Sequence, residues 1–161
     1  MASAAAKRKT KTTARAKSSP RRASPARRPA KAKTKKPSKQ VFVANHLKES
    51  DFEEGLRRYA KYRDLGIAEA TKGLARAHVI RMVPPCVPAE VSKRHLHDVD
   101  FQMIYVLKGW MKGEYDGKVE TMRVGSCWLQ PPRIKHTVLD YSDDCELLEI
   151  ILPADFDTVE L

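Results

Sequence analysis

From residue 76 onward the chain breaks into short segments of alternating apolar and polar residues, separated by turn residues, and this rhythm admits few folds. Candidate strands cover 76–83, 92–97, 101–108, 110–116, 118–124, 126–130, 136–141 and 146–152. Eight strands in fewer than 80 residues predict an all-β sandwich or barrel. Asp116-Gly117 lies between two of them and reads as a type I′ hairpin turn, because both central residues of that turn need positive φ. Pro84, Pro85 and Pro88 fall in a connection, where a missing amide donor costs nothing.

Upstream of the strands the chain has two unlike parts. Residues 1–40 hold 15 of the 31 Lys and Arg, none of the 20 acids, four of the ten prolines and no aromatic residue. Such a segment cannot bury enough apolar surface to offset its ordering entropy, so it is expected to be a disordered tail. Ser19-Pro20-Arg21-Arg22 and Ser24-Pro25-Ala26-Arg27-Arg28 resemble the Ser-Pro-basic units of linker-histone tails. Fifteen cations on a flexible string bind polyanions by counterion release, so non-specific nucleic-acid binding is expected of the tail, with plain solubilisation as the alternative. The remaining chain carries 16 cations against 20 acids and holds every Phe, Trp and Tyr. Within 41–75 the spacing predicts a helix: Ser50-x-x-Glu53 has the form of a capping box, and Phe52, Leu56 and Tyr59 recur on one face. The expected organisation is therefore a tail over 1–40, a helical lead-in over 41–75 and a β-barrel over 76–161.

Three widely spaced cysteines, Cys86, Cys127 and Cys145, imply no disulfide framework and no CxxC zinc site. No apolar run has the length of a membrane span, and the N-terminus lacks the apolar core of a secretory signal. A cytoplasmic location is expected, with the tail drawing the chain to the nucleoid.

His95-Leu96-His97 is the feature with chemistry. Residues two apart on a strand face the same side, so two imidazoles project together and can chelate one metal ion. An HxH pair alone is commonplace; its surroundings are less so. The chain reads His95-x-His97-x4-Gln102-x6-Gly109, then, after 15 residues, Gly125-x5-Pro131-x4-His136-x3-Asp140. This resembles the two motifs of the cupin superfamily, G-x5-HxH-x3,4-E-x6-G and G-x5-PxG-x2-H-x3-N. Six of the ten anchors match in residue and spacing: His95, His97, Gly109, Gly125, Pro131 and His136.

The resemblance implies a cupin-type jelly-roll barrel (a double-stranded β-helix) holding one divalent ion, Fe, Ni, Mn or Zn, on His95, His97, Gln102 and His136. It also implies a small-molecule ligand in the barrel and a metal-dependent oxidoreductase such as a dioxygenase. A non-catalytic ligand sensor whose tail binds nucleic acid is the alternative, and no catalytic residue is assigned. Gln102 stands where the family has an acid. A neutral amide oxygen is a weaker ligand than a carboxylate and cannot act as a general base; it either ligates the ion or hydrogen-bonds a ligand histidine. Arg133 replaces the turn glycine of PxG, a position where positive φ is costly for a side chain. It places a cation near the barrel mouth, toward an anionic substrate, or is a plain surface residue.

If Gln102 points inward, strand alternation sends Ile104 and Val106 inward as a pocket floor, and Met103 and Tyr105 outward. For residues 126–130 either Cys127 and Leu129, or Trp128 and Gln130, face the pocket. Trp110 and Trp128 are read as packing residues, and His46 and His78, outside the motifs, as structural. Edge strands of an open barrel favour a homodimer.

Overall fold

The computed structural model describes residues 39–161 apart from Leu56. The expected basic tail lies outside the described residues, save Lys39 and Gln40 at its end. Among the described residues eleven strands run in chain order: β1 (Glu53–Glu54), β2 (Ala60–Asp64), β3 (Arg76–Met82), β4 (His95–Asp98), β5 (Phe101–Lys108), β6 (Trp110–Tyr115), β7 (Lys118–Arg123), β8 (Cys127–Leu129), β9 (His136–Tyr141), β10 (Glu146–Leu152) and β11 (Asp157–Glu160). Two single-turn helices, α1 (Ile67–Ala70) and α2 (Pro88–Val91), sit in connections. The strands form two antiparallel sheets, one of six in the order β1-β2-β3-β10-β5-β8 and one of five in the order β11-β4-β9-β6-β7.

Period-two alternation explains the inner faces. Gln102, Ile104 and Val106 of β5 are buried, as are Leu147, Glu149 and Ile151 of β10, which pairs with it. Met103 is half-buried and Tyr105 exposed on the outer face, in line with the expected parity. For β8 the structure selects the second alternative: Gln130 is buried and Trp128 packs on the core, while Cys127 and Leu129 are exposed. Asp116 and Gly117 both take positive φ, 47° and 88°, as the hairpin turn between β6 and β7 requires. Cys145 is buried, and burial pushes its thiol up to about 12, so it is a packing residue rather than a nucleophile.

The helix expected over 41–75 does not form. A 3-10 turn at Glu49–Asp51 leads instead into β1 and β2, and only α1, a single turn, is helical there. Ser50 does not cap; its Oγ donates to Asp51 Oδ1 at 3.4 Å. β1 lies along β2, and β2 along β3. The reason is tertiary. Without β2, β3 would be an open edge with unpaired amides and carbonyls. Phe52, assigned to the helix stripe, lies under the Arg81 guanidinium at 3.8 Å. Tyr59 and Tyr62 pack against the core cluster that includes Ala60. Leu56 lies outside the described residues.

Two further differences are local. The segment expected as a strand over 92–97 is extended only from His95, because Pro88 starts the turn of α2, which buries Val91. β11 was not foreseen; it pairs with β4 and completes the sheet edge beside the histidines.

Candidate metal centre

The five-stranded sheet presents three imidazoles from two adjacent strands. His95 and His97 stand two apart on β4, and His95 is the direct cross-strand partner of His136 on β9. The ring centroids lie 5.0 Å (His95–His97), 4.3 Å (His95–His136) and 5.1 Å (His97–His136) apart. Each residue offers one ring nitrogen, and these nitrogens lie within 4.8 Å of one another.

The outer nitrogens explain which atoms converge. His95 Nδ1 lies 2.8 Å from the Lys93 carbonyl, and His136 Nδ1 lies 3.0 Å from the Ile134 carbonyl. Carbonyls only accept, so both Nδ1 atoms carry the proton. His97 Nδ1 lies 2.9 Å from Thr158 Oγ1, on β11. With both carbonyls, and the Thr158 hydroxyl oxygen, able to accept from Nδ1, Nε2 is the nitrogen left on each ring for an ion, and these outer partners set tautomer and ring orientation. Burial pulls the His97 and His136 rings down to about 4 and also lowers His95, so all three are neutral at pH 7. Three neutral, convergent imidazoles are a fitting donor set for a first-row divalent ion.

The six-stranded sheet faces them across a cavity of about 760 Å³. Gln102 lines it and is 1% exposed. Its Nε2 donates to Glu149 Oε1 at 2.6 Å, and Glu149 Oε2 lies 2.5 Å from His78 Nε2. His78 and Glu149 are cross-strand partners on β3 and β10, so one hydrogen-bonded chain crosses three strands to reach β5. Burial alone would push the Glu149 carboxyl up. The hydrogen bond and charge of His78, with the hydrogen bond from Gln102, outweigh it and hold the group below the usual carboxylate range.

The remaining expected pocket residues divide. Ile104 lines the cavity. Val106 does not; it is fully buried in the core behind it. Arg133 does not line the cavity either: it is 61% exposed, 3.4 Å from Asp98. Its φ is 63°, so the residue does adopt the glycine-like turn, at a cost of about 1–2 kcal/mol. Its backbone N–H donates to the His97 carbonyl at 3.1 Å, which ties the turn to β4. Cys127 faces away from the histidines on the exposed side of β8.

Sequence reasoning missed Glu149, Tyr62, Tyr115 and Arg57, which line the cavity together with His78, a residue read from the sequence as structural. Glu149 had a signal: it is an acid at an inward position of an otherwise apolar alternating strand, between Leu147 and Ile151. The others had none, because they come from segments that reach the site only through sheet pairing. Burial raises Tyr62 to about 12 and raises Tyr115 further, so both phenols keep their protons and can donate hydrogen bonds. Tyr115 stacks on His136, 12° from parallel.

A family model described as a cupin domain matches residues 86–151. Solved structures match over most of the chain at low identity. KdgF from Halomonas sp. is 18% identical with a TM-score of 0.56, covering 71% of this chain and 94% of that one. The polyketide cyclase RemF from Streptomyces resistomycificus is 16% identical with a TM-score of 0.57, covering 74% and 86%. Salicylate 1,2-dioxygenase from Pseudoaminobacter salicylatoxidans, as adducts with gentisate, is 9% identical with a TM-score of 0.54, covering 67% of this chain and 30% of that one. These likenesses speak to the fold alone. No curated protein sequence matches.

Proposed function

The chain carries a cupin domain, and on that premise we propose that it is a metal-dependent enzyme of small organic acids, with dioxygenation of an enolic or phenolic substrate as its reaction. The observation that carries this reading is the convergence of the three histidine nitrogens within 4.8 Å, on the wall of a cavity large enough for a small molecule. His95, His97 and His136 would hold the ion, with the Gln102 amide oxygen as fourth donor. Such an ion supplies Lewis acidity and, if redox-active, a site for O2.

The chain's own residues do the rest. Tyr62 and Tyr115 offer O–H donors to substrate oxygens. Ile104, Met111 and Leu147 form an apolar wall that keeps water from the reacting atoms. Arg57 lines the same cavity; its Nη1 donates to Glu160 Oε1 at 2.7 Å, while its buried Nη2 has no hydrogen-bond partner among the described residues and is the donor it can offer to an anionic substrate. The crystallised neighbour named for salicylate dioxygenation with gentisate supports aromatic acids as the first class to try. Purified protein supplied with iron(II) or nickel(II) is expected to consume O2 with members of a panel of phenolic, enolic and thiol compounds. Protein that binds metal while dissolved O2 stays level across the panel would sink the dioxygenase reading and leave a ligand-binding module.

The composition of residues 1–40 supports a second property, non-specific binding of nucleic acid. Full-length chain is expected to bind duplex DNA with a steep linear fall of log affinity against log salt. A chain beginning at Val41 is expected to lose both the binding and the slope. Equal binding by the two chains at every salt concentration would show that the tail only solubilises.

A further inference from the structure

Position 102 presents a puzzle in charge. A divalent ion on three neutral imidazoles and one amide keeps its full double positive charge in a largely buried site. The six-stranded sheet, however, holds a carboxylate directly behind that amide. Glu149 is 9% exposed, and both of its oxygens are engaged: Oε1 at 2.6 Å from Gln102 Nε2, and Oε2 at 2.5 Å from His78 Nε2.

The chemistry of these groups dictates which way the amide faces. An ionised carboxylate only accepts hydrogen bonds, while an amide has a donating end and an accepting end. Turning Gln102 over would set two acceptors 2.6 Å apart in a buried site, so the nitrogen must face Glu149. The carbonyl oxygen is then the amide atom left for the cavity that Gln102 shares with the three histidines. An isolated glutamine amide has no such preference and turns over freely. The charge of Glu149 also acts on each of the three rings.

We propose that Glu149 is a positioning residue for the metal centre: it locks the Gln102 amide with its oxygen presented to the ion, and supplies from the adjacent strand the negative charge that residue 102 does not carry. His78 completes the device. Its Nε2, 2.5 Å from the second oxygen, keeps Glu149 aimed at Gln102. The pair works as a carboxylate split across two strands, with the ligating oxygen on β5 and the charge on β10. The inference rests on the metal-centre reading above.

The test uses full-length protein and divalent cobalt as probe, with affinity measured by competition against a chromophoric chelator and geometry read from the cobalt visible spectrum. Glu149→Gln removes the charge and lets the amide at 102 face either way. It is expected to weaken cobalt binding about 10- to 100-fold and to alter the spectrum. The exchanged variant, Gln102→Glu with Glu149→Gln, restores one carboxylate and one amide in the same hydrogen bond. It is expected to recover wild-type affinity to within a few-fold, or to exceed it. A role in folding alone would give neither the spectral change nor the recovery. Should Glu149→Gln melt below the assay temperature, the exchanged variant carries the test. Wild-type affinity and spectrum in Glu149→Gln, or a folded exchanged variant that stays weak, overturns the proposal while the metal centre stands. Wild-type protein that takes up no cobalt ends the metal-centre reading itself.

Discussion

His136→Ala will lower divalent-metal affinity by at least about 100-fold while leaving the sheets folded. Disturbing a group that merely orients a ligand costs about 10- to 100-fold, and removing a ligand outright costs more. His136 is the one imidazole of the three contributed by β9, so its loss leaves the two imidazoles of β4 and the weaker Gln102 amide. The ring borders the cavity, which limits the packing penalty of truncating it. Elemental analysis after dialysis against excess metal, with calorimetric titration of the apo protein, checks both halves of the expectation. A variant that retains stoichiometric metal at wild-type affinity would show that the three rings do not share an ion.

Gly109→Ala will cost about 3 kcal/mol of stability or more, seen as a fall in melting temperature of at least about 10 °C. Gly109 connects β5 to β6 with φ at 64°, a conformation that alanine adopts only under strain. The methyl group has nowhere to go. It would overlap Ser142 Oγ, stand 2.6 Å from Asp144 Oδ1 and reach 3.0 Å from Cys145 Cα, which is backbone. Ser142 Oγ already accepts the Trp110 backbone N–H at 2.9 Å, so moving it breaks a bond at the start of β6. Cys145 is 0% exposed and offers no slack. Gly73→Ala is the natural comparison: its φ is also positive, but nothing lies within 4 Å of the added atom. Thermal unfolding of both variants separates overlap from backbone strain. Equal losses in the two would show that the crowding around Gly109 is absorbed at no cost.

The legibility of the fold varied along the chain for a physical reason. β5, β9 and β10 match the expected boundaries residue for residue, because each is a run of strand-forming residues bounded by turn formers: Asp100 and Gly109 around β5, Pro132 and Ser142 around β9, Asp144 and Pro153 around β10. β2 has one buried residue in five and a weak alternation, and the residues before it mimic a helix start, so its identity as a strand was hidden. The Arg133 turn misled in another way. Local chemistry argues against positive φ there, but the hydrogen bond to the His97 carbonyl holds it in place.

Local order along the chain was enough to settle the strand rhythm, the shared facing of His95 and His97, and the hairpin at Asp116-Gly117. Each of these depends only on neighbours a few residues away and on the fixed period of an extended backbone. Glu149 behind Gln102 is a different kind of fact. The two residues lie 47 positions apart, and they meet because β10 pairs with β5 on one side and β3 on the other. Which strands become neighbours is decided by packing the whole barrel. The tertiary structure alone therefore brought a charge to the candidate metal centre that its own motif lacks.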